Sequence, residues 1–191
     1  MNRRTFVGKA ALAGLGTFAF GKVSAVEKLD GREITVFTKF RKKLSFDELA
    51  AMNVEIVVQG LYQNHRDNNY VGGPIWDMVG MLEESDLKHL SLAFDFAHAT
   101  VEGANAWEMN FHRALPHIGA IYYKDYRLDG KTWNPCPIGE GVVNAKSGKL
   151  AAKLPPEVPI SIHIEYVKAG DVAKTVEAMK NDLATVRKWL G

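Results

Sequence analysis

The chain has 191 residues, 47% of them hydrophobic, and its 24 Lys and Arg nearly balance 22 Asp and Glu for a formal charge of +2. No basic stripe interleaved with aromatics runs through it, which argues against a nucleic-acid partner. The single cysteine, Cys136, excludes an intrachain disulfide, and its neighbours Pro135 and Pro137 place it in a loop as an incidental thiol rather than a nucleophile.

The first 25 residues read as an export signal. Asn2-Arg3-Arg4-Thr5-Phe6 carries a twin arginine, Ala10 to Phe20 form a short apolar run, and Val23-Ser24-Ala25 supply small residues for cleavage. The run is too short and too rich in glycine for a stable membrane span, leaving an uncleaved lipid-surface anchor as the other reading. Removal of residues 1–25 takes Arg3, Arg4, Lys9 and Lys22 and no acid, so the formal charge moves from +2 to −2. The expectation is an exported protein, periplasmic or extracellular, with one domain at residues 26–191.

That domain alternates strands and helices. Strands are expected at Ile34 to Lys39, Val54 to Gln63, Leu90 to Phe96, Ile118 to Lys124 and Ile160 to Glu165. Helices are expected at Ser45 to Ala51, Ile75 to Glu84, Ala106 to Leu115, Ser147 to Leu154 and Val172 to Leu190. In the last of these Asp171 can cap, and Val172, Val176, Met179, Leu183, Val186 and Leu190 form an apolar stripe. Asp125 to Lys146 reads as a long irregular connection, a functional lid or a disordered segment. The alternation predicts parallel strands with helices packed outside.

Strand parity then assigns faces, because successive side chains point to opposite sides. Leu92, Phe94 and Phe96 face the helices while Ser91, Ala93 and Asp95 face inward. Likewise Ile121 and Tyr123 face out, whereas Ala120, Tyr122 and Lys124 face in, joined by Gln63, His163 and Glu165 from neighbouring strands. A carboxylate, an ammonium and an imidazole in one interior must pair or bind something. An Asp95–Lys124 salt bridge in a water-filled mouth is the plainest outcome.

Tyr62-Gln63-Asn64-His65, Phe94-Asp95-Phe96-Ala97-His98-Ala99, Ile121-Tyr122-Tyr123-Lys124-Asp125-Tyr126, Pro137-Ile138-Gly139-Glu140-Gly141-Val142-Val143 and Ser161-Ile162-His163-Ile164-Glu165-Tyr166 occur in that order. Together they resemble successive motifs of the xylose-isomerase-like TIM-barrel proteins, the sugar phosphate isomerases/epimerases. The resemblance implies a (β/α)8 barrel, which typically needs ~250 residues. Five strands in residues 26–191 fall short of that, so the expected fold is an incomplete TIM-like barrel of about five parallel strands with outer helices. The shortfall points to an internal deletion near Ala50 to Asn53. An open sheet edge then needs cover from a homo-oligomer partner, a swapped element or the chain's own loops.

The resemblance also implies a divalent metal, Mn²⁺ or Mg²⁺, held by Glu, Asp, His and Glu at four consecutive strand ends. Those places are held here by Gln63, Asp95, Tyr122 and His163, so only Asp95 remains as an expected metal ligand, with Glu165 or His98 able to complete a shifted site. Without a metal, proton transfer beside a sugar carbonyl needs a base and a stabiliser of the enediolate oxygen. His163 or Glu165 can serve as base and Lys124 as stabiliser. Gln63, His65, His98, Tyr122 and Trp133 are candidates for binding the sugar. The expected activity is that of a sugar isomerase/epimerase acting on a free or oxidised sugar. The alternative is a non-catalytic carbohydrate-binding remnant. A metal-dependent phosphodiesterase on the same fold is disfavoured by the shortage of His and acidic ligands.

Overall fold

The computed structural model describes residues 28–29, 32–33, 35–37, 59–66, 73–84, 90–168 and 170–191, the first three groups and Gln59 as backbone only. The export signal, the helix read at Ser45 to Ala51 and the deletion inferred near Ala50 to Asn53 lie outside the described residues.

A two-residue antiparallel ladder, β1 (Lys28–Leu29) with β2 (Arg32–Glu33), precedes the main sheet. That sheet contains β3 (Thr35–Phe37), β4 (Gln59–Gln63), β5 (Leu90–Asp95), β6 (Ile118–Tyr123) and β9 (Ile160–Ile162), all parallel and in chain order. Helices occupy the crossovers after β4: α1 (Ile75–Glu83), α2 (Phe96–Gly103), α3 (Trp107–Ala114) and α4 (Ala145–Ala151), with α5 (Val172–Leu190) following β9. Chain-ordered parallel strands with outer helices are the arrangement of a (β/α) barrel, here an incomplete one.

The sheet separates two apolar layers. On the helix side, Leu92 and Phe94 of β5 and Ile121 and Tyr123 of β6 pack with Ile75, Met78, Val79 and Leu82, the i, i+3, i+4, i+7 stripe of α1. Phe111 of α3 meets Phe94 edge-on at 5.2 Å and stacks on Phe96 at 5.5 Å, tying α3 to this layer. Each such side chain, fully buried, contributes about 1.5–3 kcal/mol. The inner face carries a smaller cluster of Leu61, Ala93, Ala120 and Tyr122. Every residue of β5 is buried, because both of its faces are covered. The inward and outward sets expected for β5 and β6 are the ones observed.

Three local expectations change. β9 ends at Ile162 rather than Glu165, although the His163 N–H still donates to the Tyr123 carbonyl at 2.8 Å. α5 spans the expected residues, and of the expected stripe Val186 is buried and Leu190 packs partly on the core, yet Val172, Val176, Met179 and Leu183 are exposed while Ala178 and Asp182 are buried. The stretch after Asp125 is irregular only from Pro137 to Asn144. It forms a hairpin of β7 (Asp125–Asp129) and β8 (Thr132–Cys136), turned at Gly130 and Lys131 with Gly130 at φ 59°. A positive φ at the first turn residue suits the tight hairpin turns whose twist matches that of the strands.

Candidate active site at the strand ends

The inward polar residues gather where parallel strands end. Gln63 closes β4, Asp95 closes β5, Tyr122 lies opposite Asp95 on β6, and His163 follows β9. An irregularity in the β5–β6 register, between Leu92 and Ala93, sets Asp95 against Tyr122. Bulges of this kind commonly re-aim side chains beside active sites.

Asp95 is fully buried and does two jobs. Its Oδ1 accepts from the Ala97 and His98 N–H groups at 3.0 and 3.1 Å, capping α2. Its Oδ2 accepts from Gln63 Nε2 at 2.6 Å and faces Lys124 Nζ at 3.5 Å and His98 Nε2 at 3.8 Å. Asn64 pins the backbone behind it. The Asp95 N–H donates to Asn64 Oδ1 at 2.7 Å, while Asn64 Nδ2 donates to the Asp95 carbonyl at 3.1 Å. Burial pushes the Asp95 carboxyl above the usual range, opposed by the Lys124 ammonium, the His98 N–H and the Gln63 amide.

Lys124 is only 3% exposed, and its ammonium bridges two carboxylates. Nζ donates to Glu165 Oε1 at 2.9 Å, and the Tyr126 hydroxyl donates to Glu165 Oε2 at 3.0 Å. Burial works against the charge on Lys124, but Asp95, Tyr126 and Glu165 overcome it and hold its pKa above the ordinary lysine value. The Tyr126 phenol is pushed up to about 12, by burial first. Glu165, 36% exposed, is the member of this chain of contacts that reaches solvent.

The remaining candidates flank this clasp. Nδ1 of His98 accepts from the Arg66 N–H at 3.2 Å, so a neutral His98 carries its proton on Nε2, the atom facing Asp95. The His65 ring lies 4.0 Å from that of His98, and the Arg66 guanidinium sits over Tyr126 at 5.2 Å. His163 and Tyr122 place their rings 4.6 Å apart. Burial, then Asp95, raises the Tyr122 phenol. Trp133 is placed elsewhere, on β8 and packed against the helix-side core. The Cys136 thiol is buried and pushed up to about 11, which suits an inert side chain.

Sequence reasoning missed Asn64, Tyr126 and Asp125. Tyr126 continues the inward parity of Tyr122 and Lys124, so its signal was present. Asp125 organises the loop beside the site: Oδ1 accepts from the Tyr126 and Val143 N–H groups, and Oδ2 from those of Gly139 and Gly141, at 2.8 to 3.0 Å. Gly139 has φ 94°, and a Cβ on Gly141 would stand 2.2 Å from the Tyr126 carbonyl oxygen. The Gly139-Glu140-Gly141 spacing thus serves a backbone wrapped around one carboxylate.

The donor set does not suit a divalent ion. Mn²⁺ or Mg²⁺ prefers several anionic oxygens, whereas the two acids here are already bridged by an ammonium and by Gln63 and Tyr126 donors. Among the described residues no group of three or more His, Cys, Asp or Glu is placed to hold a metal.

A parallel sheet in chain order, helices outside and polar groups gathered at the carboxyl ends define a partial α/β barrel of the kind that carries enzymes. The model of the xylose isomerase-like TIM barrel family matches residues 26–180, and the chain belongs to that family. Its fold is similar to that of a xylose isomerase-like TIM barrel protein from Mycobacterium smegmatis solved in complex with magnesium, with a TM-score of 0.54 and 14% identity over 80% of this chain and 53% of that one. It is also similar to the probable 3-DHS dehydratase AsbF involved in petrobactin synthesis from Bacillus anthracis, with a TM-score of 0.52 and 17% identity over 75% of this chain and 59% of that one. The chain therefore spans little more than half the length of these two proteins. No curated protein matches it. Among the described residues no helix is long and apolar enough to cross a membrane.

Proposed function

We propose that the chain binds a free or oxidised sugar at the strand ends and, without a divalent ion, moves the proton beside the sugar carbonyl as an isomerase or epimerase does. The observation that carries this reading is the Lys124 ammonium set between Asp95 and Glu165, a fixed positive charge where the family's motif implies a metal. His163, half-buried beside Tyr122, takes the carbon-bound proton. The C–H electron pair forms the carbon–carbon double bond of an enediolate, and the carbonyl pair moves onto oxygen, where Lys124 stabilises it. The adjacent hydroxyl passes its proton to the enediolate oxygen and becomes the new carbonyl, while His163 returns the carbon-bound proton to the neighbouring carbon, which gives the isomer; return to the opposite face of the original carbon gives the epimer. Glu165 already accepts from Lys124 and Tyr126, so it suits a partner for sugar hydroxyls better than a base. Gln63, His65, His98 and Tyr122 complete the polar wall, and Arg66 supplies a cation for the carboxylate of an oxidised sugar.

The test is incorporation of solvent deuterium next to the carbonyl across a panel of aldoses, ketoses and uronates, using the full chain. Incorporation that disappears in His163→Gln and falls at least 100-fold in Lys124→Met is the expected result. A second reading, a non-catalytic sugar binder, is favoured by the saturation of both carboxylates within the clasp. It takes over where calorimetry shows sugar binding without exchange. Neither binding nor exchange overturns both. Export belongs to the same proposal: the mature protein is expected to begin after Ala25 and to be recovered outside the cytoplasm, and an intact N-terminus on cytoplasmic protein contradicts that part.

A further inference from the structure

Arg66, just after β4, is tied into the strand-end site through both polar groups of its backbone. Its N–H donates to His98 Nδ1 at 3.2 Å, and its carbonyl accepts from His65 Nδ1 at 3.1 Å. Those bonds fix where the side chain leaves the loop, and the guanidinium lies over the Tyr126 ring, 5.2 Å from its centroid. Lys124 Nζ lies over the same ring at 5.6 Å. Both cations thus converge on one aromatic side chain, whose hydroxyl donates to Glu165.

The charges on these cations are placed differently. Lys124 is buried and bridges Asp95 and Glu165, whereas the half-buried Arg66 guanidinium meets no carboxylate among the described residues. A guanidinium stacked on a ring keeps its N–H donors around the edge of its own plane, in the fork that a carboxylate takes two at a time. Arg66 follows β4 and Lys124 follows β6, with β5 between them, so their strands stand about 10 Å apart. A substrate that spans from one to the other carries its anion several bonds away from the carbonyl. A neutral hexose leaves the Arg66 charge without a partner. A hexose phosphate brings a second negative charge towards Glu165, the acid of the clasp that reaches solvent, and like charges set side by side cost affinity. We infer that the substrate of this site is a sugar acid of the uronate type, with its carboxylate on the Arg66 fork and its carbonyl at Lys124. The inference rests on the proposed sugar site and narrows it from free and oxidised sugars to the oxidised ones.

The experiment titrates the full chain by calorimetry with D-glucuronate, D-galacturonate and D-mannuronate, each beside its parent hexose and its hexose 6-phosphate. At least one uronate is expected to bind about tenfold or more tighter than both of its counterparts, the worth of a charge-assisted hydrogen bond. Arg66→Met should bring that uronate down to the affinity of its hexose, and Arg66→Lys, which keeps the charge and loses the fork, should restore part of the preference. Solvent-deuterium exchange on the same ligands separates this inference from the catalytic reading. A uronate preference without exchange removes the catalysis and leaves the inference standing, whereas exchange with equal affinity for uronate and hexose does the reverse. Tighter binding of a hexose phosphate, a uronate preference that survives Arg66→Met, or no binding across the panel overturns the inference.

Discussion

Asp95 and Asp125 are both buried carboxylates at neighbouring strand ends, yet they are satisfied in opposite ways. Asp125 spends all its acceptor capacity on four backbone N–H groups, three from one loop and one from its neighbour Tyr126, so its anion is part of the local fold. Asp95 also caps a helix with Oδ1, but gives Oδ2 to side chains of two other strands, Gln63 and Lys124. One carboxylate shapes the wall of the site and the other supplies its charge. Side-chain partners can be exchanged for a ligand, whereas backbone donors cannot leave without unfolding the loop. Under the proposed function, that difference makes Asp95 the partner of Lys124 in the site and leaves Asp125 to the architecture.

The largest effect is expected from Asp125→Ala. It strands several buried donors at once, each costing about 1–3 kcal/mol, and should lower stability by about 4 kcal/mol or more in denaturant unfolding. Retained stability would erase the contrast. Lys124→Met comes next, at about 3 kcal/mol, because it leaves Asp95 charged and buried beside an apolar side chain. Pairing it with Asp95→Asn in a double-mutant cycle should recover part of that loss. Additivity between Asp95 and Lys124 would show that the pair is not a unit.

The pH dependence sharpens the same point. The folded pKa of Lys124 lies above its unfolded value of about 10.4, so its stabilisation is complete below that pH and is lost as the pH rises through the folded value. The stability gap between wild type and Lys124→Met should therefore hold level across neutral pH and narrow only in strongly alkaline solution. A gap that closes near neutrality would mean a neutral lysine. Tyr126→Phe is the smallest change, about 1 kcal/mol, since it removes one hydrogen bond to a carboxylate that also reaches water.

The site was legible where strand parity applied. Gln63, Asp95, Lys124 and Tyr122 sit on the inward face because a period of two leaves little choice once Leu92, Phe94 and Ile121 take the helix side. Legibility failed where geometry depends on what the chain meets later. Tyr126 shared the parity of Lys124 but fell in a stretch taken as irregular, although Asp129-Gly130 is a hairpin turn signal. Helix α2 was missed because Phe96 looked like a strand residue; Asp95, a strong capping residue, was the clue. The period of α5 was readable, but its buried face was not, because packing against α4 and the sheet, rather than the helix's own apolar stripe, decides which side turns inward.

Under the proposed function the Lys124 ammonium does the work a divalent ion would do at Asp95. The most direct test is thermal unfolding of the full chain with excess Mn²⁺ and with chelator, beside Asp95→Asn. A ligand that binds the folded form alone must raise the midpoint, by about 2.7 kcal/mol of stability at one hundred times its dissociation constant. The expected result is a cooperative transition with the same midpoint in Mn²⁺ and in chelator. A midpoint raised by Mn²⁺ in the wild type and not in Asp95→Asn would contradict the claim.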